Sequence, residues 1–391
     1  IMETIHVVKA LGPEYVLVEP MFIVTPHDND LIEERQRHGS FSVPEAALFG
    51  RYVLRSSEIY DLSLLGQYFD HSMGIILWDD FQALFGGGQL QFDILMMDHG
   101  PIKSTKIPCA TNPNLQAPVE FFNTTFTIQG THCIQAARKG GYPQTKCDDV
   151  PEARGNCFPA GKKFIAEFYR QLKQYTNARY IGLFLHRSYL SQMLYQWIED
   201  RDLDYIAIRR KLLFSKTIWD KARQLVQGMP RPLVAMHIRR GDKLYIFQDH
   251  KFQLNPYATV EKIVHRIQQV VRHTRSRSVF IMTDMKNKQD LALLNTSLSE
   301  VGGIHRYSSG DWHFEVQDMF VEMAVCTMAD HFISSGRAYW ASATPSRDII
   351  EVRGLAFGLN KYTTYWYGKP GERWSGAVLE TFTHGKDLLE D

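Results

Sequence analysis

Apolar and polar residues follow a regular rhythm along the second half of this chain. Residues 233–236 form a short continuous apolar run, introduced by Gly228, Pro230 and Pro232. Such a run reads as a strand buried on both faces. Strands are predicted at 233–238, 278–283, 303–307 and 330–334, separated by helical patterns at about 257–273, 287–299, 313–328 and 337–349. Strands spaced by single helices predict an α/β unit with a parallel sheet covered on both faces.

The first half is less regular. Ile5, Val8 and Leu11, closed by Gly12 and Pro13, predict a helix over 2–11, followed by a strand over 15–24 interrupted at Pro20. Residues 25–60 read as irregular. Residues 73–78 form a second buried strand, after which Asp79 and Asp80 suit a helix N-terminus and Gly86–Gly88 break that helix. A third strand is predicted over 90–97. Residues 98–160 carry turn residues with little periodicity and read as a long irregular insertion, plausible only if stapled or functional. Phe164, Ile165, Phe168 and Leu172 make a helical stripe over 162–176, 180–185 reads as a strand, and 188–228 is a helical connection.

At 391 residues the chain exceeds the usual size of one core, so two domains are expected. Its 44% hydrophobic and 22% charged residues are ordinary for a soluble enzyme, and a net charge of +1 gives no reason to propose nucleic acid or an acidic membrane surface as partner. No run approaches the roughly 18 apolar residues of a membrane span. The chain opens inside the first helical pattern, as a trimmed chain would.

Cys109, Cys133, Cys147 and Cys157 cluster, whereas Cys326 lies alone in an apolar helix and reads as a small core residue. The cluster lacks the close pairs of zinc sites, which favours disulfides. Asn123 and Asn295 stand in glycosylation sequons. Together these features point to the secretory lumen, in the endoplasmic reticulum or Golgi.

Candidate chemistry concentrates at the end of the first strand of the second half. His237, Arg239, Arg240, Asp242 and Lys243 follow the apolar run closely, with Gly241 permitting a sharp turn. Ligands of open α/β sheets bind at the carboxyl ends of strands. Guanidinium forks match phosphate oxygens in pairs, so a pyrophosphate-bearing donor is one natural ligand. An internal salt-bridge cluster is the other reading. Arg240-Gly241-Asp242 as an integrin-type tripeptide would need an exposed loop tip, not a strand end. Gly155 to Lys163 fails as a phosphate-binding loop, because Gly155 and Gly161 are too far apart and Lys163 stands where a hydroxyl should be.

The segment His237 to Lys243 resembles the donor motif of the GDP-fucose fucosyltransferase superfamily, which includes protein O-fucosyltransferases and α1,2- and α1,6-fucosyltransferases. Residues 278–284, ending in Thr283 and Asp284, are similar to its next strand. Residues 314–320 resemble the helix that supplies a donor-binding aspartate, here Asp318, and 329–335 resemble the final core strand. Arg209 and Arg210 with the helix after them resemble the linker of the protein O-fucosyltransferases, the kind modifying thrombospondin-type repeats being nearest. The resemblance covers about 205–365 and is faint before that.

It implies a GT-B glycosyltransferase, two Rossmann-like domains facing each other across a cleft. The acceptor-side domain would span 1–187 with the insertion 98–160, a helical linker 188–228, the GDP-fucose-binding domain 229–370 and a tail 371–391. Arg239 matches the arginine set against the β-phosphate and is the expected catalytic residue, with Arg240 a second phosphate or structural contact. His237 matches a donor-contacting histidine, or is a histidine bonded within the core. Asp318 lies opposite the apolar stripe of its helix and would accept from guanine or ribose. Thr283 and Asp284 complete the donor side, and Asp242 and Lys243 pair at the turn.

Two positions depart from the family. Phe247 stands where the α1,6 branch has a glutamate, and Ala338-Tyr339-Trp340 replaces a hydroxyl-bearing triplet. Ser334, Ser335 and Arg337 are expected to substitute for that triplet. The family's N-terminal cleft loop would precede Ile1, leaving Glu19 as the candidate base. The implied activity is inverting, metal-independent and cofactor-free transfer of fucose from GDP-fucose to Ser/Thr of a protein. The alternatives are a glycan acceptor, or a silent GDP-sugar-binding protein.

Overall fold

The computed structural model of the chain describes residues 5, 15–23, 53–68, 74–85, 90–92, 94–98, 126–128, 131–137, 157–159, 181–185, 203–240, 245–248, 251–254, 259–285, 287–309, 315–334 and 344–367. The chain divides into two compact units. One comprises residues 1–57 and 62–205, the other 58–61 and 206–391. Helices predicted over 2–11 (apart from helical, buried Ile5) and 162–176 lie outside the described residues.

In the first unit, the strand expected over 15–24 is divided by Glu19 and Pro20 into β1 (Val16–Val18) and β2 (Met21–Ile23). Proline has no N–H for a ladder, but its carbonyl still accepts from Ser56 N at 3.0 Å. The stretch expected to be irregular ends in β3 (Val53–Arg55), antiparallel to β2, and α1 (Ser56–Ile59). After α2 (Leu62–Tyr68), β4 (Gly74–Ile76) runs parallel to β1. β4 is not the buried strand expected, since Gly74 and Leu77 are exposed. Trp78 opens α3 (Trp78–Phe85), with Asp79 and Asp80 in its first turn where acidic side chains meet the positive helix end.

The strand expected over 90–97 is two, β5 (Leu90–Phe92) and β6 (Ile94–Asp98). β5 pairs with β7 (Phe126–Ile128). β6 lies between β8 (Thr131–Ala137) and β10 (Ile181–Leu185), and β8 pairs on its other side with β9 (Cys157–Pro159), all parallel. The stretch read as an irregular insertion therefore supplies three strands.

The second unit holds α4 (Leu203–Lys211) from Ile206 on, α5 (Lys216–Gln227), β11 (Leu233–Ile238), the hairpin β12 (Tyr245–Gln248) and β13 (Lys251–Leu254), α6 (Val260–Thr274), β14 (Ser278–Thr283), α7 (Lys288–Ser297), β15 (Ile304–His305), α8 (Glu315–Met328), β16 (His331–Ser334), α9 (Thr344–Glu351) and β17 (Thr364–Trp366). Its sheet has the order β15-β14-β11-β16-β17 and is parallel throughout. All six residues of the central strand β11 are buried.

Alternation along the strands sorts the two faces. Val234, Met236, Ile238, Val279, Ile281 and Ile333 pack with Ile263, Ile267 and Val270 of α6 and Leu294 of α7. Each such side chain contributes about 1.5–3 kcal/mol by leaving water. Ala235, Phe280 and Phe332, in register across three strands, face the opposite way, the side on which α8 packs.

Local signals set the helix ends. Ser215 caps α5 by accepting from Ile218 N, and Asn287 caps α7 by accepting from Gln289 N at 2.9 Å and Asp290 N at 3.2 Å. Gly302 and Gly303, at φ 82° and 76°, turn the chain into β15. A Cβ on Gly303 would lie 2.9 Å from Asn295 Oδ1, which accepts from Ile304 N. The sequon residue Asn295 thus sits in a helix with its carbonyl oxygen bonded to the incoming strand.

Candidate active site

The carboxyl ends of β11 and β14 gather most of the expected residues. Just past the end of β11, Arg239 and Arg240 part company. Arg240 is buried, its guanidinium paired with Asp290 in the first turn of α7, and its backbone N–H donates to Asp284 Oδ1 at 2.6 Å. Arg240 and Asp284 therefore stitch β11, β14 and α7 together. Both residues thus brace this strand end, Arg240 through its side chain and Asp284 through Oδ1. Arg239 stays half-buried.

His237 lies buried, with Nδ1 2.7 Å from Ser346 Oγ in α9. Burial, reinforced by the charge of Arg239, pushes its pKa down to about 3, so the ring is neutral at physiological pH. Thr283 ends β14, its hydroxyl accepting from Met285 N at 3.1 Å and its carbonyl accepting from Arg306 Nη2 at 3.4 Å.

Asp318 is on α8 as expected but is buried and already bonded. Its Oδ2 accepts from Ser309 N at 2.7 Å and Ser309 Oγ at 2.8 Å, holding the segment after β15. One turn further along α8 is Glu322, which the sequence reading missed although it stands four residues from Asp318. It is buried, and desolvation raises its pKa to about 8, with Asp318 adding and Arg306 and the Tyr307 N–H opposing. Among the described residues its Oε1 has no hydrogen-bond partner.

Ser334 is fully buried, and its hydroxyl donates to the Tyr365 carbonyl at 3.3 Å. This bond helps join β16 to β17. Glu19, the candidate base, braces its own unit. Its Oε1 accepts from Ser57 N at 2.8 Å and its Oε2 from Trp78 N at 3.0 Å, the first amide of α3. Asp242, Lys243, Ser335 and Arg337 lie outside the described residues.

Helix α9 is fixed by a charge cluster. Arg209 of α4 lies 3.3 Å from Asp348 Oδ1 and 3.0 Å from Glu351 Oε2, and Arg347 Nε donates to Glu351 at 2.8 Å. Among the described residues, no group of three or more His, Cys, Asp or Glu is arranged to hold a metal. No helix among them is long and apolar enough to cross a membrane. Chemically, this strand end offers a half-buried guanidinium beside a neutral imidazole, which suits an anionic group.

Comparison with known proteins agrees with that chemistry. The family model for GDP-fucose protein O-fucosyltransferase matches residues 103–343, more than half of the chain and well upstream of the segments that carry the sequence resemblance. The fold is the mixed α/β fold of GT-B-type fucosyltransferases. The chain belongs to the GDP-fucose protein O-fucosyltransferase family and is accordingly a GDP-fucose-dependent glycosyltransferase.

Among solved structures it is similar to POFUT1 in complex with GDP, at 13% identity and a TM-score of 0.57 over 94% of this chain and 93% of that one. POFUT1 with GDP-fucose gives 13%, 0.58, 94% and 93%. The α-1,6-fucosyltransferase NodZ with GDP gives 12% identity and a TM-score of 0.28 over 46% of this chain and 55% of that one, too low to bear on the fold. No curated protein matches the chain.

Proposed function

We propose that this chain transfers fucose from GDP-fucose to Ser or Thr hydroxyls of a protein acceptor, with inversion and without a metal. The observation that carries this reading is Arg239, half-buried at the carboxyl end of β11 beside neutral His237, in a chain of the O-fucosyltransferase family. Negative charge grows on the leaving pyrophosphate as the glycosidic bond breaks. A guanidinium already in position stabilises it more in the transition state than in the ground state. His237 would donate to the same phosphates. Asp318 and Thr283 would shape the nucleoside end, where a buried carboxylate accepts from guanine N–H groups. Arg240, Asp242, Asp284, Ser334, Ser335 and Arg337 remain proposed donor contacts.

GDP and GDP-fucose should raise the thermal midpoint, whereas UDP and ADP at equal concentration should not, since a site that uses guanine's donors loses a buried partner with adenine. Equal shifts with ADP and GDP would sink the guanine assignment. Acceptor class is tested by offering a folded protein domain and a free oligosaccharide side by side; label on the oligosaccharide alone would overturn the protein acceptor. The secretory lumen is proposed from the cysteine cluster and the sequons. Mass spectrometry without reduction should find Cys109, Cys133, Cys147 and Cys157 oxidised in protein from its native compartment, and four reactive thiols there would count against it.

A further inference from the structure

One side-chain bond joins the end of β11 to a helix more than a hundred residues downstream. Val234, Met236 and Ile238 line the core beneath α6, so His237 projects from the other face, toward α9 and its Ser346. Both partners are buried. Helix α9 is itself held by Arg209 through Asp348 and Glu351, with Arg347 bracing Glu351. Ser346 is therefore carried on a fixed element, and the imidazole inherits that fixity.

A neutral imidazole has two tautomers, and a hydrogen bond at one nitrogen selects which nitrogen keeps the proton. Beside Arg239 the ring stays uncharged, so it can serve an anion only through a single N–H. Building on the donor-site reading above, we infer that Ser346 is a positioning residue. Its hydroxyl donates to Nδ1 and holds His237 in the tautomer whose Nε2–H donates to an anionic oxygen of the donor. Without that hydroxyl, Nδ1 is buried with no donor from α9, and the two tautomers mix.

The experiment uses the full chain with ¹⁵N-labelled histidine, the His237 signals being assigned by their loss in His237→Gln. The wild type should show Nε2 protonated and Nδ1 as a hydrogen-bonded acceptor; Nδ1–H as the main form overturns the inference without any variant. Ser346→Ala should mix the tautomers and weaken calorimetric GDP binding about tenfold, the worth of one charge-directed bond, while Ser346→Thr should restore both. Arg239→Ala, run in parallel, separates the two ideas. If it binds GDP like the wild type, the donor-site reading fails. If it loses GDP while Ser346→Ala keeps both tautomer and affinity, only the positioning role fails.

Discussion

The two ends of the β11 sheet use arginine in opposite ways. At the amino end, Arg353 is 1% exposed and donates to the carbonyls of Cys326, Thr327, Ala329 and Thr363 at 3.3, 2.9, 2.6 and 3.1 Å. Arg231 and Asp330 pair beside it, and Asp330 also accepts from Leu233 N at 2.6 Å, where β11 begins. This cluster satisfies carbonyls that helix and strand ends leave over. At the carboxyl end, Arg240 does similar work through Asp284 and Asp290, whereas Arg239 is only partly buried. A burial count would call the amino end the more elaborate site. The chemistry lies at the other one, because a fully engaged guanidinium has nothing left to offer a substrate.

Substitutions at the two ends should separate turnover from stability. Arg239→Ala should lower transfer by about 10² to 10⁴, comparable to removing a preorganised oxyanion donor, with turnover falling more than donor affinity. Arg239→Lys should recover little, because a point charge cannot reproduce a two-pronged contact. Both variants should melt near the wild type, and near-normal turnover in the Ala variant would move the active site elsewhere. Arg353→Met should do the reverse. It strands several buried carbonyls at about 1–3 kcal/mol each, for a loss of at least about 3 kcal/mol in urea unfolding. Activity per folded molecule should hold within about twofold, with the single oxyanion-donor penalty as the contrast. A loss of turnover without loss of stability would erase the distinction between the two ends.

Glu322 sharpens the comparison, being buried on the opposite terms to Arg353. Its pKa of about 8 lies above the ordinary 4.5, so the folded state holds the proton more tightly than the unfolded chain. Its contribution is fully present below about pH 4.5 and is lost as pH rises toward 8, by up to a few kcal/mol. Glu322→Gln, which cannot ionise, should flatten that part of the stability profile. Identical wild-type and variant profiles from pH 4.5 to 8 would mean that Glu322 is not buried as the acid.

Mainly apolar runs bounded by turn residues made β11 and β14 legible to the residue, since a parallel strand buried on both faces is rich in apolar side chains. Weaker elements escaped. β8, with Thr131, His132 and Gln135 among its seven residues, reads as polar, and its cysteine suggested a stapled loop. β12, β13 and β17 are three or four residues long and carry no periodicity of their own. The site was legible as a stretch but not as a set of roles. That Arg240 would turn to Asp290 while Arg239 stayed partly exposed depends on the course of the chain just past the end of β11. That Ser334 and Glu19 are fully engaged depends on partners 31 and 59 residues away. Nothing local to Ser346 marks it at all.

The membership of Glu58–Asp61 in the second unit has a consequence in time. Ile59 is fully buried, Tyr60 stacks on Phe214 with centroids 5.9 Å apart, and Ser215 N donates to the Ile59 carbonyl at 2.7 Å. A ribosome makes this segment, with its buried Ile59 and Tyr60, long before its partners exist. At synthesis rates of about 5–20 residues per second, it waits roughly 8 to 30 s for Phe214 to emerge. During that interval its best surface is any other apolar surface within reach. A nascent chain halted between residues 61 and 214 should therefore be the most chaperone-dependent stage of its synthesis.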